Sequence, residues 1–599
     1  MHIKHVLAVL LITAIAVPLW AQRTATQAMQ NILKEKTEWR DKAKQQAHPN
    51  SSKGSLRSFT ETDVSAAADI ESEVHAAINP TDTANIIVSS NYVSGTANST
   101  NYIYYTNDFG ASWTKSSFST SPGVPNAFIL GGGDPMFAFD ASGKAYFSWI
   151  NLYFSGFNVN FDLFWASSTT NGNSWVRETN DNIGSATGLA SGFDKQWMEV
   201  DRNPASPYYG NLYCSFFEIN GTTNETYIGV RTKAAAVSAF TQTTARITDN
   251  TYKFVQFSSL TVDALGKVHV SFFGSQDSVN YALYHSVSTD GAQNFSTPNK
   301  ISDVLIPRFS AGLPASDSLF GVTNARLYPC PYMIADQTNG PYANNLYIVW
   351  SSIGTLTNNT TGFDVYLSRS TDGGNTWSQA QILNGANVNN LSSDQFYPSI
   401  GISPLGRVVV QWYDRRDDVQ NKSAHIYLTY SDNGGATFAP DIKVTDQSMD
   451  FSQAGSQNGG FGIGEYNAIL ATDNYILPVW SDGRTNDGDL DLKMAYVNVS
   501  GVNTDVEYIN TLTDKLKITN IGPNPANDKL NYSIEVTKPG KLNVQVFDLK
   551  GALIIQTESN VNTGSNGSFI ATNQISAGTY FVKFTYDGAS ITRKINVSH

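Results

Sequence analysis

Ser368-Arg-Ser-Thr-Asp-Gly-Gly-Asn-Thr-Trp377 is the stretch on which the fold turns, because versions of it recur along the 599-residue chain. Thr106 to Trp113 (Thr-Asn-Asp-Phe-Gly-Ala-Ser-Trp) keeps the same order of residue types, and Ser168 to Trp175, Ser288 to Phe295 and Ser431 to Phe438 are looser copies. The common pattern is Ser/Thr-x-Asp-x-Gly-x-x-Trp/Phe. Physically this is a turn: Asp or Asn hydrogen-bonds backbone two residues on, Gly takes a positive φ without strain, and the aromatic closes the turn from the next strand. Such a unit fastens a hairpin.

A second repeat is superposed between about Val74 and Val499: an apolar strand, a turn with Asp and Gly, then a strand ending in an aromatic. Asp134 to Asp140 with Ala145 to Trp149 is one example, and Tyr397 to Pro404 with Arg407 to Trp412 is another. Val74 to Pro80 with Asn85 to Ser90 is the most divergent of about seven such units. The pitch of roughly 60–70 residues has room for a four-stranded blade with loops in a radial propeller. The expectation is therefore an all-β propeller of about seven blades, with six as the alternative. Two units, starting near Asp194 and Tyr466, lack the turn pattern. The last is one strand short, and a strand from before Val74 is expected to complete it and remove an open sheet edge.

The turn pattern resembles the Asp-box (BNR) repeat of sialidase-like β-propellers, which Ser370 to Trp377 matches at every position. That resemblance implies that the boxes join the third and fourth strands of each blade, on the face opposite the ligand site. It further implies an exo-glycosidase of sialidase type: an Arg cluster for the sialic-acid carboxylate, an Asp acid/base and a Tyr nucleophile paired with Glu. Two departures stand against it. The family's Phe/Tyr-Arg-Ile-Pro signature is absent near the first unit, the nearest echo being Arg326-Leu-Tyr-Pro329, and sialidases have six blades.

Composition agrees with many short strands: charged residues are 15 %, aromatics 12 %, and there are 46 glycines. The formal charge of −12 argues against a nucleic-acid partner or an anionic membrane surface. Met1 to Ala21 has Lys4 and His5 ahead of an apolar run from Val6 to Trp20, the layout of a secretory signal peptide. A polar segment follows over 22–69. No later stretch is long and apolar enough to span a bilayer, and a monomer is expected. Cys214 and Cys330, the only thiols, fall on non-adjacent units and are expected to be buried and unpaired.

The propeller is expected over 70–499 and a linker over 500–518; a different β unit then begins, over 519–599. Pro523-Asn-Pro525, Asp548-Leu-Lys-Gly551 and Gly578-Thr-Tyr580 sit among alternating strands, which argues a small Ig-like sandwich. These motifs resemble the type IX secretion (Por) C-terminal sorting domain. The resemblance implies partnership with the type IX machinery and release from, or attachment to, the surface of a Gram-negative cell.

Strand direction places the candidate site. In a blade the first strand starts, and the second ends, on the rim opposite the boxes. Aligning the repeats puts Asp134, Asp194, Lys195, Gln256, Tyr397, Glu465 and Tyr466 near the tops of first strands, and Asp414-Arg415-Arg416 and Asp482-Gly483-Arg484 at the ends of second strands. Arginine forks and tyrosines suit a polyhydroxylated or acidic sugar, so extracellular or surface glycans are the expected ligands. On the family pattern Asp134 or Asp194 is the candidate acid, Tyr466 or Tyr397 the candidate nucleophile, and Glu199 or Glu465 its partner. Lys195, Gln256, Arg326, Asp414, Arg415, Arg416, Asp482 and Arg484 are candidate substrate-binding residues. Glu465 and Tyr466, adjacent on a strand, are expected to point to opposite faces unless a bulge intervenes. The competing reading makes Asp414-Arg415 and Asp482-Arg484 ion pairs that hold loops. Asp482, Asp487, Asp489 and Asp491 hint at Ca²⁺ but lack the glycine spacing of a calcium loop, so no metal or cofactor is expected. A non-catalytic glycan- or protein-binding propeller is the alternative function.

Overall fold

The Ser370 turn forms as its residue types dictate. In the computed structural model, Ser370 Oγ donates to Asp372 Oδ1 at 2.8 Å and accepts the Gly374 N–H at 2.8 Å, while Asp372 accepts the Thr376 N–H at 2.9 Å. The same lattice recurs at Thr106, Asp108 and Gly110, at Ser288, Asp290 and Ala292, and at Ser431, Asn433 and Gly435. Gly374, at φ +88°, cannot be replaced without cost: an added Cβ would lie 2.0 Å from the His285 ring of the preceding sheet. Each turn thereby packs the end of one sheet against its neighbour.

The structure describes residues 60–599 apart from 68–69, 94–98, 179, 189, 307–327, 354–361, 385–392, 453, 455–462, 486–487, 500–514, 524, 549–552 and 588. The signal-like segment, Arg326, Asp487 and most of the expected linker lie outside the described residues.

Between Thr60 and Asn498 the described residues form seven four-stranded antiparallel sheets. Their innermost strands are Ile70–Ile78, Phe128–Phe139, Gly192–Val200, Phe254–Val262, Tyr332–Ala335, Gln395–Ile402 and Ala468–Ala471. Each packs on the next in chain order, and Ala468–Ala471 packs on Ile70–Ile78, so the series returns to its start. The seventh sheet takes its outer strand from Thr60–Asp63, which pairs with Asp491–Asn498 in the register Thr60↔Tyr496 to Asp63↔Lys493. The strand missing from the last repeat is thus supplied from before the first. Buried tryptophans on second strands, Trp149, Trp350, Trp412 and Trp480, fill the space between sheets.

One irregularity recurs and positions the site. Five innermost strands slip register against their second strand, between Ser72 and His75, Gly133 and Met136, Asp194 and Trp197, Gln256 and Ser259, and Phe396 and Ser399. The first residue inside each slip is left-handed: Glu73 (φ 55°), Asp134 (53°), Lys195 (51°), Phe257 (54°) and Tyr397 (50°), with Cys330 (46°) equivalent ahead of the fifth sheet. A non-glycine residue in this region costs about 1–2 kcal/mol. It persists six times because neighbouring sheets fix the bulge: Asn91 Oδ1 accepts the Asp134 N–H at 2.9 Å, and Ser351 Oγ accepts the Tyr397 N–H at 3.2 Å. All six of these residues are buried.

The contact pattern divides the chain after Ser500. The second unit packs a three-stranded sheet (Leu516–Gly522, Lys529–Val536, Gly564–Ala571) and a four-stranded sheet (Leu553–Val561, Gly540–Phe547, Gly578–Tyr586, Ala589–Val597) around Leu530, Ile534, Val544, Val582 and Phe584. Alternation along Lys529–Val536 and Gly578–Tyr586 puts every second residue inward, as a half-buried sandwich strand requires.

Candidate functional site

The bulges of three consecutive sheets bring Glu73, Asp134 and Lys195 together, and the segment ahead of the seventh sheet adds Glu465 and Tyr466. Lys195 Nζ lies 2.9 Å from Glu465 Oε2, 3.5 Å from Glu73 Oε1 and 3.7 Å from Asp134 Oδ1. It also sits over the Tyr466 ring, 4.6 Å from its centroid, and 5.5 Å from that of Phe257. Asn91 donates to Glu73 Oε2 at 2.5 Å, and the Lys195 N–H is shared by Asp134 Oδ2 (3.1 Å) and Asp194 Oδ1 (3.0 Å). Gln196 Nε2 donates to the Asp134 carbonyl. One ammonium, on the third sheet, therefore gathers carboxyls from three others.

Burial and charge set the protonation of this group. Burial alone would strip the Lys195 ammonium of its proton; Asp134, Glu465 and Glu73 reverse this and raise its pKa well above the ordinary lysine value. Burial also raises Glu73 well above the carboxylate range, against the pull of Lys195 and with the charges of Asp134 and Glu465 adding to the rise. Asp134 goes the other way: burial would raise it, but the charge of Lys195, and then hydrogen bonding with Glu73 and Asp194, hold it low. Tyr466 is pushed well above 10 by burial, against the pull of Lys195, and keeps its phenolic proton. A carboxyl raised by burial and one held low thus flank the same ammonium.

The remaining sequence candidates are dispersed. Glu465 and Tyr466 both face Lys195, contrary to the strand-alternation expectation, because the pleated strand begins only at Ala468 and the preceding segment is irregular. Tyr397 is buried at its own bulge, with its carbonyl accepting from Asn467 at 3.1 Å. Arg415 beside it is fully buried, 3.5 Å from Asp394 and stacked on Phe396 at 4.9 Å. Gln256 precedes the fourth bulge and is half-buried. Glu199 lies further down its strand and lines a separate cavity of about 130 Å³ with His75, Trp197 and Tyr332. Its charge partner there is Arg202, at 3.9 Å.

The two Asp-x-Arg pairs form matching struts in adjacent sheets. Trp412 Nε1 donates to Asp414 (2.7 Å), Arg416 grips Asp414 (2.5 Å), and Arg416 Nη1 reaches Asp441 at the outer strand (2.7 Å). Trp480, Asp482 and Arg484 repeat this, with Glu61 of the closing strand as the outer carboxylate at 2.9 Å. Both arginines span their own sheets outward; Arg484 meets Asp482 as the ion-pair reading expects, whereas Asp414 is held by Arg416 in place of Arg415, which pairs with Asp394. The charges acting most strongly on Lys195, Asp134 and Tyr466 include no arginine.

Glu73 escaped the sequence reading. It falls in the most divergent repeat, and its inward direction comes from a left-handed bulge that no residue type announces. The spacing of six residues to Asn79, equal to that from Asp134 to Asp140 and from Lys195 to Asp201, was the available signal.

Residues 520–598 match the model of the secretion system C-terminal sorting domain. The second unit is a sorting domain. The chain is accordingly secreted or attached at the cell surface through the type IX system, and no helix among the described residues is long and apolar enough to cross a membrane. No curated protein matches the chain. Among solved structures it is similar to a protein of unknown function from Dyadobacter fermentans (12 % identity, 74 % of this chain and 98 % of that one, TM-score 0.37). It is also similar to the Hadza microbial sialidase Hz136 (9 %, 67 % and 73 %, 0.36) and to the Penicillium chrysogenum α-L-arabinanase complexed with arabinobiose (12 %, 60 % and 93 %, 0.38).

Proposed function

We propose that the propeller is an exported glycan-processing enzyme of exo-glycosidase type. The observation supporting this reading is the split protonation around Lys195, with Glu73 raised and Asp134 lowered. Glycoside cleavage needs a carboxylic acid to protonate the leaving oxygen and an anion to meet the positive charge that develops on the sugar. Glu73, which burial keeps protonated, is the acid in this scheme. Asp134 is the anion, and this replaces the acid role that family resemblance gives it, because Lys195 keeps it ionised. Lys195 orients the carboxyls, and Tyr466 keeps its proton as a hydrogen-bond donor. With Arg416 and Arg484 engaged in struts, a sugar without a carboxylate suits the site better than sialic acid.

The test is incubation of the full chain with a panel of aryl glycosides that includes a sialoside, alongside Asp134→Asn and Glu73→Gln. Turnover of one member, lost in Asp134→Asn with the fold intact, is the expected result. A second reading, a non-catalytic glycan-binding module, draws on the enclosure of the cluster, in which Lys195 is only 4 % and Glu73 1 % exposed. Glycan-array binding without turnover would favour it, and neither binding nor turnover would sink both.

A further inference from the structure

Away from the axis, the fourth sheet buries two histidines face to face. His269 and His285 are 0 % and 1 % exposed, with His269 Nδ1 3.0 Å from His285 Nε2. Their outer nitrogens both meet oxygen: His269 Nε2 is 3.3 Å from Asp263 Oδ2, and His285 Nδ1 is 3.2 Å from Asn299 Oδ1. The Asn299 amide is pinned, because its Nδ2 donates to the Gly374 and Asn375 carbonyls at 2.9 and 3.4 Å. Its Oδ1 can therefore only accept. Asp263 Oδ1 accepts the Leu265 and Lys267 N–H groups, both at 2.9 Å, which leaves Oδ2 for the histidine.

Three contacts in this chain need three protons. Ordinary ionisation at neutral pH supplies two, one on each imidazole and none on Asp263. With two, one contact sets lone pair against lone pair in a buried site, which costs the desolvation of both groups. We infer that the Asp263–His269–His285 group is a proton-binding site that holds one proton more in the folded chain than in the unfolded chain, as a shared imidazolium opposite a carboxylate.

The surroundings fit that assignment. Burial would raise Asp263, yet its hydrogen bond and charge interaction with His269 hold it below the usual range, so the extra proton belongs to the rings. Burial first, and then the neighbouring His269, pushes His285 down to about 3, so that ring does not hold the extra charge by itself. Asp372, on the turn of the fifth sheet, is a further charged group acting on His285. The same ring packs on Gly374 and meets Trp377 edge-on at 5.4 Å, so the site braces the junction of two sheets. A folded state that binds the extra proton loses stability as pH rises through the pKa of the pair.

Urea unfolding of the full chain between pH 6.5 and 9.5, against His285→Phe, tests this. The wild-type unfolding constant should climb with pH more steeply than that of the variant, by up to tenfold per pH unit where the proton leaves; equal slopes would overturn the inference. A variant that does not fold leaves a direct measurement on the wild type. Neutron diffraction at pH 7 should find three deuterons on the four ring nitrogens, and two would overturn it.

Discussion

Lys195 Nζ and Glu465 Oε2 meet at 2.9 Å across 270 residues of chain, and both side chains are almost wholly buried. A contact this distant in sequence records the meeting of the third sheet with the seventh. Removing the lysine leaves Glu73, Asp134 and Glu465 facing each other without a cation. Lys195→Met should destabilise the propeller by about 3–5 kcal/mol at pH 7. The loss should shrink near pH 4, where protonation relieves the carboxyls. Urea unfolding at the two pH values checks it, and an equal loss at both would refute the electrostatic account.

Glu73 and Asp134 should respond oppositely to pH. The Asp134 pKa is lowered on folding, so its stabilisation is present above the unfolded value of 3.8 and is lost as pH falls below it. The Glu73 pKa is raised, so stability falls as pH rises from 4.5 toward the folded value. Glu73→Gln keeps the hydrogen-bonding shape without the ionisation. It should be neutral or mildly stabilising at pH 7, and should flatten the decline in stability above pH 4.5. A loss of several kcal/mol at pH 7 would mean that Glu73 is ionised in the fold.

Sequence periodicity made the sheets legible, because a period-2 strand with an Asp/Gly turn has to hide one face and must reverse at fixed intervals. The same alignment found Asp134, Lys195, Glu465 and Tyr466, since their places at the strand tops follow from chain direction. What it could not reach was set by backbone. Glu73 turns inward at a left-handed bulge, and Glu465 and Tyr466 share one side because the strand has not yet begun. Arg416 and Arg484 stand at strand ends as expected, but their direction depends on where Asp441 and Glu61 sit, which is tertiary information. Glu199 is two alternations below Lys195 on the same strand and so belongs to a different level of the fold.

The Arg416 strut should matter more to stability than its counterpart. Arg416→Met strands Asp414 and Asp441, which are 0 % and 2 % exposed at the side chain, and burial already raises Asp441 to about 6. A loss of about 3 kcal/mol is expected. Arg484→Met should cost less, because Glu61 is 18 % exposed and water can replace the arginine. Denaturant midpoints give the ranking, and the reverse order would refute it. Neither variant should alter glycoside turnover, which would separate these arginines from a substrate-binding role.

Closure by Thr60–Asp63 carries the last expectation. This strand makes four residue pairs with Asp491–Asn498, places Glu61 on Arg484 and Asp63 on Lys493, and sends the Thr62 hydroxyl to the Gly110 carbonyl at 3.1 Å. Beyond it, the Val64 and Ser65 N–H groups both reach the Leu492 carbonyl. Deleting residues 60–65 removes all of these and leaves Asp491–Asn498 as a bare edge. At about 1 kcal/mol net for each backbone pair, the loss should be roughly 3–5 kcal/mol. The exposed edge should recruit strands from other copies, seen as concentration-dependent larger species in size-exclusion chromatography. Glu61→Ala alone should stay within about 1 kcal/mol of wild type and remain a single species, because the partly exposed ion pair contributes little once the strand is paired. A deletion variant as stable and as homogeneous as the parent would mean that the ring holds without this strand.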